Sequence, residues 1–196
     1  MAEREAGAII LAGGLSRRMG TDKALLRLKP GGPRIIEMVL AAASAVATEV
    51  VISTNRPELY SWLDLPLVPD NFPGAGPLAG LEAGLSRSTA RYNLLLACDM
   101  PFVQPKLLRF LLDLAAQHSA VIPLSREGRP EPLCGIYSRE CLPHIREHLR
   151  AGKYKMTGWL EYLPVRYVAA DELLEYDPAL RSFDNLNTPE DLEQAR

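Results

Sequence analysis

The chain has few cysteines, no long apolar run and no excess of basic charge, and each shortage excludes a class of protein. Its 196 residues include three cysteines, Cys98, Cys134 and Cys141, with no C-x-x-C pair. This pattern argues against a disulfide scaffold, a redox pair and a zinc knuckle, and it fits a reducing compartment. No apolar run reaches the roughly 20 residues that a transmembrane helix needs. Residues 1–5 also lack the basic start of a signal peptide. We therefore expect a soluble, cytoplasmic protein with no membrane partner.

The balance of charge bears on the choice of partner. The chain carries 22 Lys and Arg against 24 Asp and Glu, a formal net charge of −2. Nucleic-acid binders usually present a basic face, so we expect no nucleic-acid partner. Hydrophobic residues make up 47% of the sequence, which is enough for a substantial core in a chain of this length. We expect a single domain over residues 1–196.

Short apolar runs alternate with helical patterns along the chain. Residues 50–52 and 94–97 are continuously apolar, as in parallel strands that are buried on both faces. We predict strands at 7–12, 49–53, 66–68, 92–98, 119–123, 132–138 and 165–169. We predict helices at 34–47, 57–63, 77–87, 105–117, 139–150, 154–162 and 189–195. This alternation indicates an α/β fold, a three-layer αβα sandwich around a mostly parallel, Rossmann-like sheet.

The most informative segment is residues 11–23, LAGGLSRRMGTDK, which directly follows an apolar run. Gly13 and Gly14 allow the backbone to approach a ligand closely, and successive N–H groups in such a turn form a concave anion site. Positive charge comes from Arg17, Arg18 and Lys23. Neither the P-loop pattern nor G-x-G-x-x-G fits the segment. It therefore predicts a polyphosphate-binding loop of another kind.

A carboxylate stands just beyond the apolar run at 94–97. Ligands of open α/β sheets bind beyond the carboxyl ends of the strands, so Asp99 is expected near the glycine loop. Mg²⁺ takes one or two protein carboxylates and fills its octahedron with phosphate oxygens and water. The alternative is that Asp99 caps a turn. We favour Asp99 as a Mg²⁺ ligand.

Two stretches break the alternation of strands and helices. Pro69–Pro77 is rich in proline and glycine, and Ser125–Pro132 is rich in charge. Long irregular loops in a compact domain are often binding loops. The alternative for the second stretch is a solvated hairpin tip.

Four segments together resemble nucleotidyltransferases that join a nucleoside triphosphate to a phosphorylated partner. They are LAGG-x-S-x-RMG-x-DK at 11–23, GPLAGL at 76–81, CDMPF at 98–102 and FDNLNTPED at 183–191. The first motif marks a wide superfamily with a nucleotide-diphospho-sugar transferase-like fold. The set as a whole is most similar to the molybdenum cofactor guanylyltransferases of the MobA type, and it covers nearly the whole chain.

The resemblance implies a reaction and a set of site residues. GMP would pass from GTP to molybdopterin with Mg²⁺ as the cofactor, and pyrophosphate would leave. Arg18 would hold the pyrophosphate, Lys23 would bind phosphate, and Asp99 would bind Mg²⁺ and nucleotide. Further nucleotide contacts would come from Leu11, Ala12, Gly13, Gly14, Ser53, Asp70, Gly76, Pro77 and Gly80. Asn185 and Asn187 would face the second substrate or complete the metal environment. The resemblance also implies transient contacts with molybdoenzyme-specific chaperones or other proteins of cofactor biosynthesis.

Several readings stay open at this point. Ser53 stands where relatives often carry asparagine, and Asn55 is near enough in sequence to compensate. Asn185 and Asn187 would also suit turns or helix N-caps. A cytidylyltransferase that acts on the same pterin or on a sugar phosphate has the same chemistry. A non-catalytic nucleotide-binding protein of cofactor delivery is an alternative from another class.

One short pattern has a competing explanation. His144 to His148 reads H-I-R-E-H and matches the H-x-x-E-H zinc pattern on a predicted helix. No third ligand is evident from the sequence. We therefore expect a solvated helix face that carries Arg146, Glu147 and Arg150.

Overall fold

A computed structural model describes residues 6–13, 23–186 and 191. Seven strands form one sheet in the order β3-β2-β1-β4-β6-β5-β7. The strands are β1 (Ala6–Leu11), β2 (Glu49–Ser53), β3 (Leu67–Val68), β4 (Tyr92–Ala97), β5 (Ala120–Pro123), β6 (Cys134–Ser138) and β7 (Val165–Val168). Strand β6 runs antiparallel to its neighbours β4 and β5, whereas the other pairs are parallel. The predicted mostly parallel sheet is confirmed.

The helices flank the sheet on both sides. The α-helices are α1 (Ile35–Ser44), α2 (Pro77–Arg87), α3 (Pro105–Asp113), α4 (Leu142–Arg150) and α5 (Ala170–Leu173). Short 3-10 helices lie at Lys23–Leu25, Pro57–Leu59, Ser61–Leu63, Leu114–Gln117, Arg139–Cys141, Leu160–Tyr162 and Arg181–Phe183. Within the described residues, no helix combines the length and apolarity needed to cross a bilayer.

Alternation along β1 divides the core into two layers. Ile10 packs in one cluster with Val39 of α1 and Leu107 of α3. Its neighbour Ile9 packs on the opposite face, in a cluster with residues of α2 and α4. Successive strand side chains point to opposite faces, so each face of the sheet receives a covering pair of helices. The predicted three-layer αβα sandwich is confirmed.

The prediction of a helix at 154–162 was wrong. Only Leu160–Tyr162 is helical there, as a single 3-10 turn. Gly152 adopts a positive φ of 69° after α4, and the following residues form turns that bury Trp159 and Leu160 side by side. Residues 151–155 are exposed, so the segment has no apolar residues that recur every three or four positions along its length. The predicted helix at 57–63 is likewise two separate 3-10 turns. The predicted helix at 189–195 lies outside the described residues except for Asp191.

Strand register brings three strand ends level with one another. Leu11 of β1 lies opposite Ser53 of β2 on one side and Ala97 of β4 on the other. The backbone continues this alignment beyond the strands, because Cys98 N–H donates to the Leu11 carbonyl at 3.1 Å. The glycine loop, the end of β2 and the Cys98–Asp99 turn therefore emerge at the same edge of the sheet.

Candidate functional site

A cleft of about 420 Å³ opens beyond the carboxyl ends of β1 and β2. It is lined by Leu11, Gly13, Ser53, Asn55, Arg56, Asp70, Gly74, Gly76, Pro77 and Gly80. Most of these residues were predicted from the sequence as nucleotide contacts. The cleft thus gathers residues from β1, β2, the loop before α2 and the first turn of α2.

The acidic wall of the cleft is fixed by a pair of side chains. Asn55 Nδ2 donates to Asp70 Oδ2 at 2.7 Å, and Asp70 N–H donates to Asn55 Oδ1 at 2.9 Å. Ser53 Oγ lies 3.5 Å from Asp70 Oδ1. The second carboxylate oxygen is thereby left with a long contact and spare acceptor capacity. Asp70 is thus oriented to accept hydrogen bonds from a ligand.

The N-terminus of α2 forms the other wall. Gly76 precedes the helix with φ 68° and ψ −154°, and Pro77 occupies its first turn. A helix start presents backbone N–H groups and a positive dipole end, which favour anions and electron-rich groups. Gly80 allows the helix to lie against the strand ends, because a Cβ there would sit 2.6 Å from Leu11 Cδ2.

A second cluster lies at the end of β4. Asp99 is half-buried, and its backbone carbonyl accepts from Leu186 N–H at 3.0 Å. Burial raises the pKa of the Asp99 carboxyl above its usual range, while a backbone hydrogen bond and the charge of Lys23 oppose that rise. The charge of Lys23 thus acts on the Asp99 carboxylate. The neighbouring Asn185 is exposed. Asp99 is not part of the cleft lining.

The residues present suit a hard divalent cation. The structure, over the residues it describes, contains no group of three or more His, Cys, Asp or Glu side chains that would enclose a metal. Mg²⁺ does not require such a cage, because it keeps phosphate and water ligands and needs only one or two carboxylates. The half-buried Asp99 carboxylate at a strand end meets that requirement.

Other predicted site residues are placed differently or not described. Ala12 is buried, and its N–H donates to the Ser53 carbonyl while its carbonyl accepts from Thr54 Oγ1. Its backbone is therefore engaged in holding β1 to β2. Gly14, Arg17, Arg18 and Asn187 lie outside the described residues. Their predicted roles stay predictions.

Asn55, Arg56 and Gly74 also line the cleft, although they were not predicted as nucleotide contacts. Asn55 was noted only as a substitute for Ser53. Asn55 and Arg56 directly follow the carboxyl end of β2, so the strand-end rule would have found them. Gly74 lies within the predicted loop Pro69–Pro77 and has a φ of 82°.

The charged stretch at 125–132 forms the tip of the β5–β6 hairpin. Ser125 N–H donates to the Arg129 carbonyl at 2.8 Å, and Gly128 N–H donates to the Ser125 carbonyl at 2.9 Å. Arg129 and Glu127 form an exposed ion pair at 3.3 Å. The hairpin alternative is therefore confirmed for its backbone, and a binding role of its side chains stays a prediction.

The expected solvated face of α4 is confirmed for Glu147 and Arg150 and holds only in part for Arg146, whose side chain is 40% exposed. Its Nε donates to the buried carboxylate of Glu82 at 2.7 Å, because α4 packs beside α2 on the same face of the sheet. His148 Nδ1 lies 3.3 Å from the carbonyl of His144. No third metal-binding side chain joins these histidines within the described part of the chain.

Comparison with known proteins agrees with this geometry. The family model for the MobA-like NTP transferase domain matches residues 8–167. A probable molybdenum cofactor guanylyltransferase of Pelotomaculum thermopropionicum is 38% identical over 193 residues, which cover 98% of this chain and 92% of the relative. A molybdenum cofactor guanylyltransferase of Desulfosudis oleivorans is 37% identical, with 95% and 92% covered.

A solved structure extends the similarity to three dimensions. Molybdopterin-guanine dinucleotide biosynthesis protein A from Archaeoglobus fulgidus superposes with a TM-score of 0.83 at 31% sequence identity, and 96% of each chain is covered. The cleft and the Lys23–Asp99 cluster thus occur on a backbone shared with that protein. With the family model spanning β1 to β7, this chain belongs to the MobA-like NTP transferase family.

Proposed function

We propose that this protein transfers GMP from GTP to molybdopterin and releases pyrophosphate. The observation that carries the proposal is the pairing of an acceptor-lined cleft with a Lys–Asp cluster at the same sheet edge. The names of the similar proteins from Pelotomaculum and Desulfosudis support the same reaction. The product is the guanine dinucleotide form of the cofactor.

The cleft suits a guanosine moiety. Guanine presents an N1–H and an adjacent exocyclic amine, so a site that reads it needs a pair of acceptors. The Asp70 carboxylate supplies oxygen acceptors in the cleft, and Asn55 fixes its orientation. Cytosine presents one donor, its N4 amine, beside the N3 acceptor, so a carboxylate would meet one hydrogen-bond donor and one repelling lone pair. This contrast favours GTP over CTP.

The triphosphate would extend from the cleft across the glycine loop toward Lys23 and Asp99. Lys23 would bind phosphate oxygens as a point charge. Asp99 would hold Mg²⁺, which when bound neutralises phosphate charge and orients the oxygens for displacement. Arg18 would stabilise the leaving pyrophosphate. Asn185 and Asn187 follow in the segment tied to Asp99 by Leu186, where they would face the acceptor.

The reaction requires little of the protein beyond positioning and charge neutralisation. A phosphate monoester has its second pKa near 6, so the attacking oxygen of molybdopterin is already largely ionised at neutral pH. It attacks the α-phosphorus of GTP in line, a P–O bond forms, and the bond to the pyrophosphate oxygen breaks. No general base is needed. Holding the two anions together supplies most of the rate.

The first test is release of pyrophosphate by purified protein with Mg²⁺ and molybdopterin, comparing GTP, CTP and ATP. Release with GTP and its loss on omission of molybdopterin support the proposal. A preference for CTP would move the protein to the cytidylyl branch. Absence of release with all three would favour a nucleotide-binding protein of cofactor delivery.

We further propose a cytoplasmic site of action and transient contacts with molybdoenzyme-specific chaperones or other proteins of cofactor biosynthesis. The three cysteines carry free thiols, as in a reducing compartment. A dinucleotide product needs a recipient enzyme, which motivates the contacts. Pull-down with a molybdoenzyme apoprotein and its chaperone tests them.

A further inference from the structure

A buried carboxylate on α2 connects two helices to the loop before α2. Glu82 is 1% exposed. Its Oε2 accepts from Asn71 Nδ2 at 2.9 Å, and its Oε1 accepts from Arg146 Nε at 2.7 Å. The Ser86 hydroxyl, which has one proton, lies 2.7 Å from the Glu82 main-chain carbonyl and 2.9 Å from Oε1. Arg146 Nη2 also donates to Ser86 Oγ at 2.8 Å. Arg146 belongs to α4, so the Asn71–Glu82–Arg146 network spans the loop, α2 and α4.

Asn71 and Arg146 both donate hydrogen bonds to the Glu82 carboxylate. A carboxylate has an oxygen for each of these donors, whereas an amide at this position would place an N–H group against one of them. A buried charge is costly unless it is paired and hydrogen-bonded, and the guanidinium of Arg146 supplies that pairing. The Glu82 carboxylate is therefore an acceptor whose buried surroundings supply the hydrogen-bond donors it needs.

Asn71 lies in the loop before α2, so the network holds that loop in place. Asp70 is held from the β2 side by Asn55, and the next residue, Asn71, is held from the α2 side by Glu82. Hydrogen bonds therefore attach the loop at two adjacent residues, to Asn55 and to Glu82. These attachments directly precede the segment that leads to Gly76. Neither Glu82 nor Asn71 lines the cleft itself.

We propose that Glu82 is a positioning residue for nucleotide binding, which acts through Asn71 to fix the loop that carries Asp70. This inference rests on the proposed function only where it is tested by the KM for GTP. Fixing the loop before the ligand arrives reduces the ordering cost of binding. Loss of the network should weaken binding of the nucleotide and leave the chemical step nearly unchanged.

The cleanest variant is Asn71→Ala, because it cuts the network at the loop and leaves the Glu82–Arg146 pair intact. We expect the KM for GTP to rise by about tenfold, with kcat and the KM for molybdopterin within about twofold. Asn71→Asp keeps the shape but sets a carboxylate against Glu82, so its KM should rise at least as much. Glu82→Gln should raise the same KM and also lower the Tm.

Non-additivity separates positioning from general destabilisation. Because Asn71→Ala and Glu82→Gln break the same link, the double variant should raise the KM little more than the larger single effect. The matched control is Glu140→Gln, which removes the carboxylate of an exposed Arg–Glu pair with Arg91, away from the loop. It should leave both constants unchanged.

Hydrogen exchange gives a readout that does not depend on the substrate. In the ligand-free protein, amides of residues 70–76 should exchange faster in Asn71→Ala and Glu82→Gln than in the wild type or Glu140→Gln. Unchanged exchange of these amides would overturn the inference, whatever nucleotide the enzyme uses. An active wild type with unchanged KM in Asn71→Ala would overturn it too. An inactive wild type with faster loop exchange in the variants would count against the proposed function alone and support the network.

Discussion

Asn55 and Asp70 hold each other by a reciprocal pair of hydrogen bonds across the mouth of the cleft. The Asn55 amide donates to the Asp70 carboxylate at 2.7 Å, and the Asp70 N–H donates back to the Asn55 carbonyl oxygen at 2.9 Å. These residues are 15 positions apart and follow β2 and β3, which pair side by side. The pair holds a loop carboxylate as an oriented acceptor.

Asn55→Ala should therefore weaken nucleotide binding without unfolding the protein. Asp70 loses its fixed orientation, and a hydrogen bond to a charged group contributes about 1.5–3 kcal/mol. We expect the KM for GTP to rise about tenfold or more, the factor that corresponds to about 1.4 kcal/mol. Steady-state pyrophosphate release measures it. Gln117→Ala, an exposed amide before β5 at the opposite edge of the sheet, is the control, and an equal KM in both variants would contradict the assignment.

Asp99→Ala should abolish Mg²⁺-dependent transfer while the fold survives. Burial raises the pKa of the Asp99 carboxyl because the charged form is poorly solvated there. Removal of the carboxylate therefore relieves the cost of desolvating that charge. The backbone carbonyl that binds Leu186 N–H is retained. We expect a Tm at or above that of the wild type, followed by circular dichroism, and no pyrophosphate release above background. Normal turnover would remove Asp99 from the metal site.

Lys23→Ala should lower kcat/KM by about 100-fold, the range seen when a group that stabilises developing charge is removed. Lys23→Arg keeps the charge and should recover part of that loss. Recovery should be incomplete because the planar guanidinium differs in shape from the compact ammonium group of lysine. Titration of GTP at saturating Mg²⁺ separates KM from kcat. Wild-type kinetics in the alanine variant would exclude Lys23 from the site.

Gly80→Ala should disturb the site through packing. Its Cβ would lie 2.6 Å from Leu11 Cδ2 and 2.9 Å from Ser53 Oγ, so these side chains, both of which line the cleft, must shift. Overpacking of this kind costs about 1–3 kcal/mol, and urea unfolding measures it. In Gly158→Ala the new Cβ meets nothing closer than 3.8 Å, so that control should change stability by less than about 0.5 kcal/mol. Equal losses in the two variants would refute the close approach of α2.

Glu49 should make stability depend on pH. It accepts hydrogen bonds from the Ser88 hydroxyl, from Thr89 N–H at 2.8 Å and from Ala90 N–H at 2.9 Å. Burial raises the pKa of Glu49, but these bonds outweigh it, and the net pKa lies below 4.5. A group with a lowered folded pKa contributes stability above its unfolded pKa and loses it as pH falls through the folded value.

The measurement compares the wild type with Glu49→Gln by urea unfolding across pH. The wild type should be more stable by about 1–3 kcal/mol at pH 6–8, from the bonds to a charged acceptor. The gap should shrink below pH 4.5 as Glu49 takes up a proton. Glu58→Gln, at an exposed site, is the control. A gap that stays constant down to pH 3 would show that ionisation of Glu49 plays no part.

The sequence predicted the strands well because their signal is local. Continuous apolar runs such as 94–97 can only be buried, and the structure places a strand at each predicted position. The helix predicted at 154–162 failed because its apolar residues are buried as neighbours in turns around Trp159. Trp159 and Leu160 pack in one cluster with residues of α4 and β7. No local sequence pattern specifies that contact between separate elements.

The site residues likewise fall into those predicted from local sequence and those that only the folded structure brings together. Gly13 was predicted from the glycine motif, and Asp99 from the rule that ligands bind at the carboxyl edge of a parallel sheet. Arg56 and Gly74 were not predicted, and Arg146 was assigned to solvent. The contacts of Arg146 join residues 64 positions apart, and only the packing of α4 against α2 brings them together.

By itself, the amino-acid sequence determined the α/β class, the strand end that precedes Asp99 and the family, because each can be read from local runs of residues without knowing which distant residues meet. The tertiary structure alone decided which side chains meet: Asn55 with Asp70, and Glu82 with both Asn71 and Arg146. Hydrogen bonds between distant residues depend on strand register and helix packing. These are fixed by burial of the whole core, and no single segment carries that information.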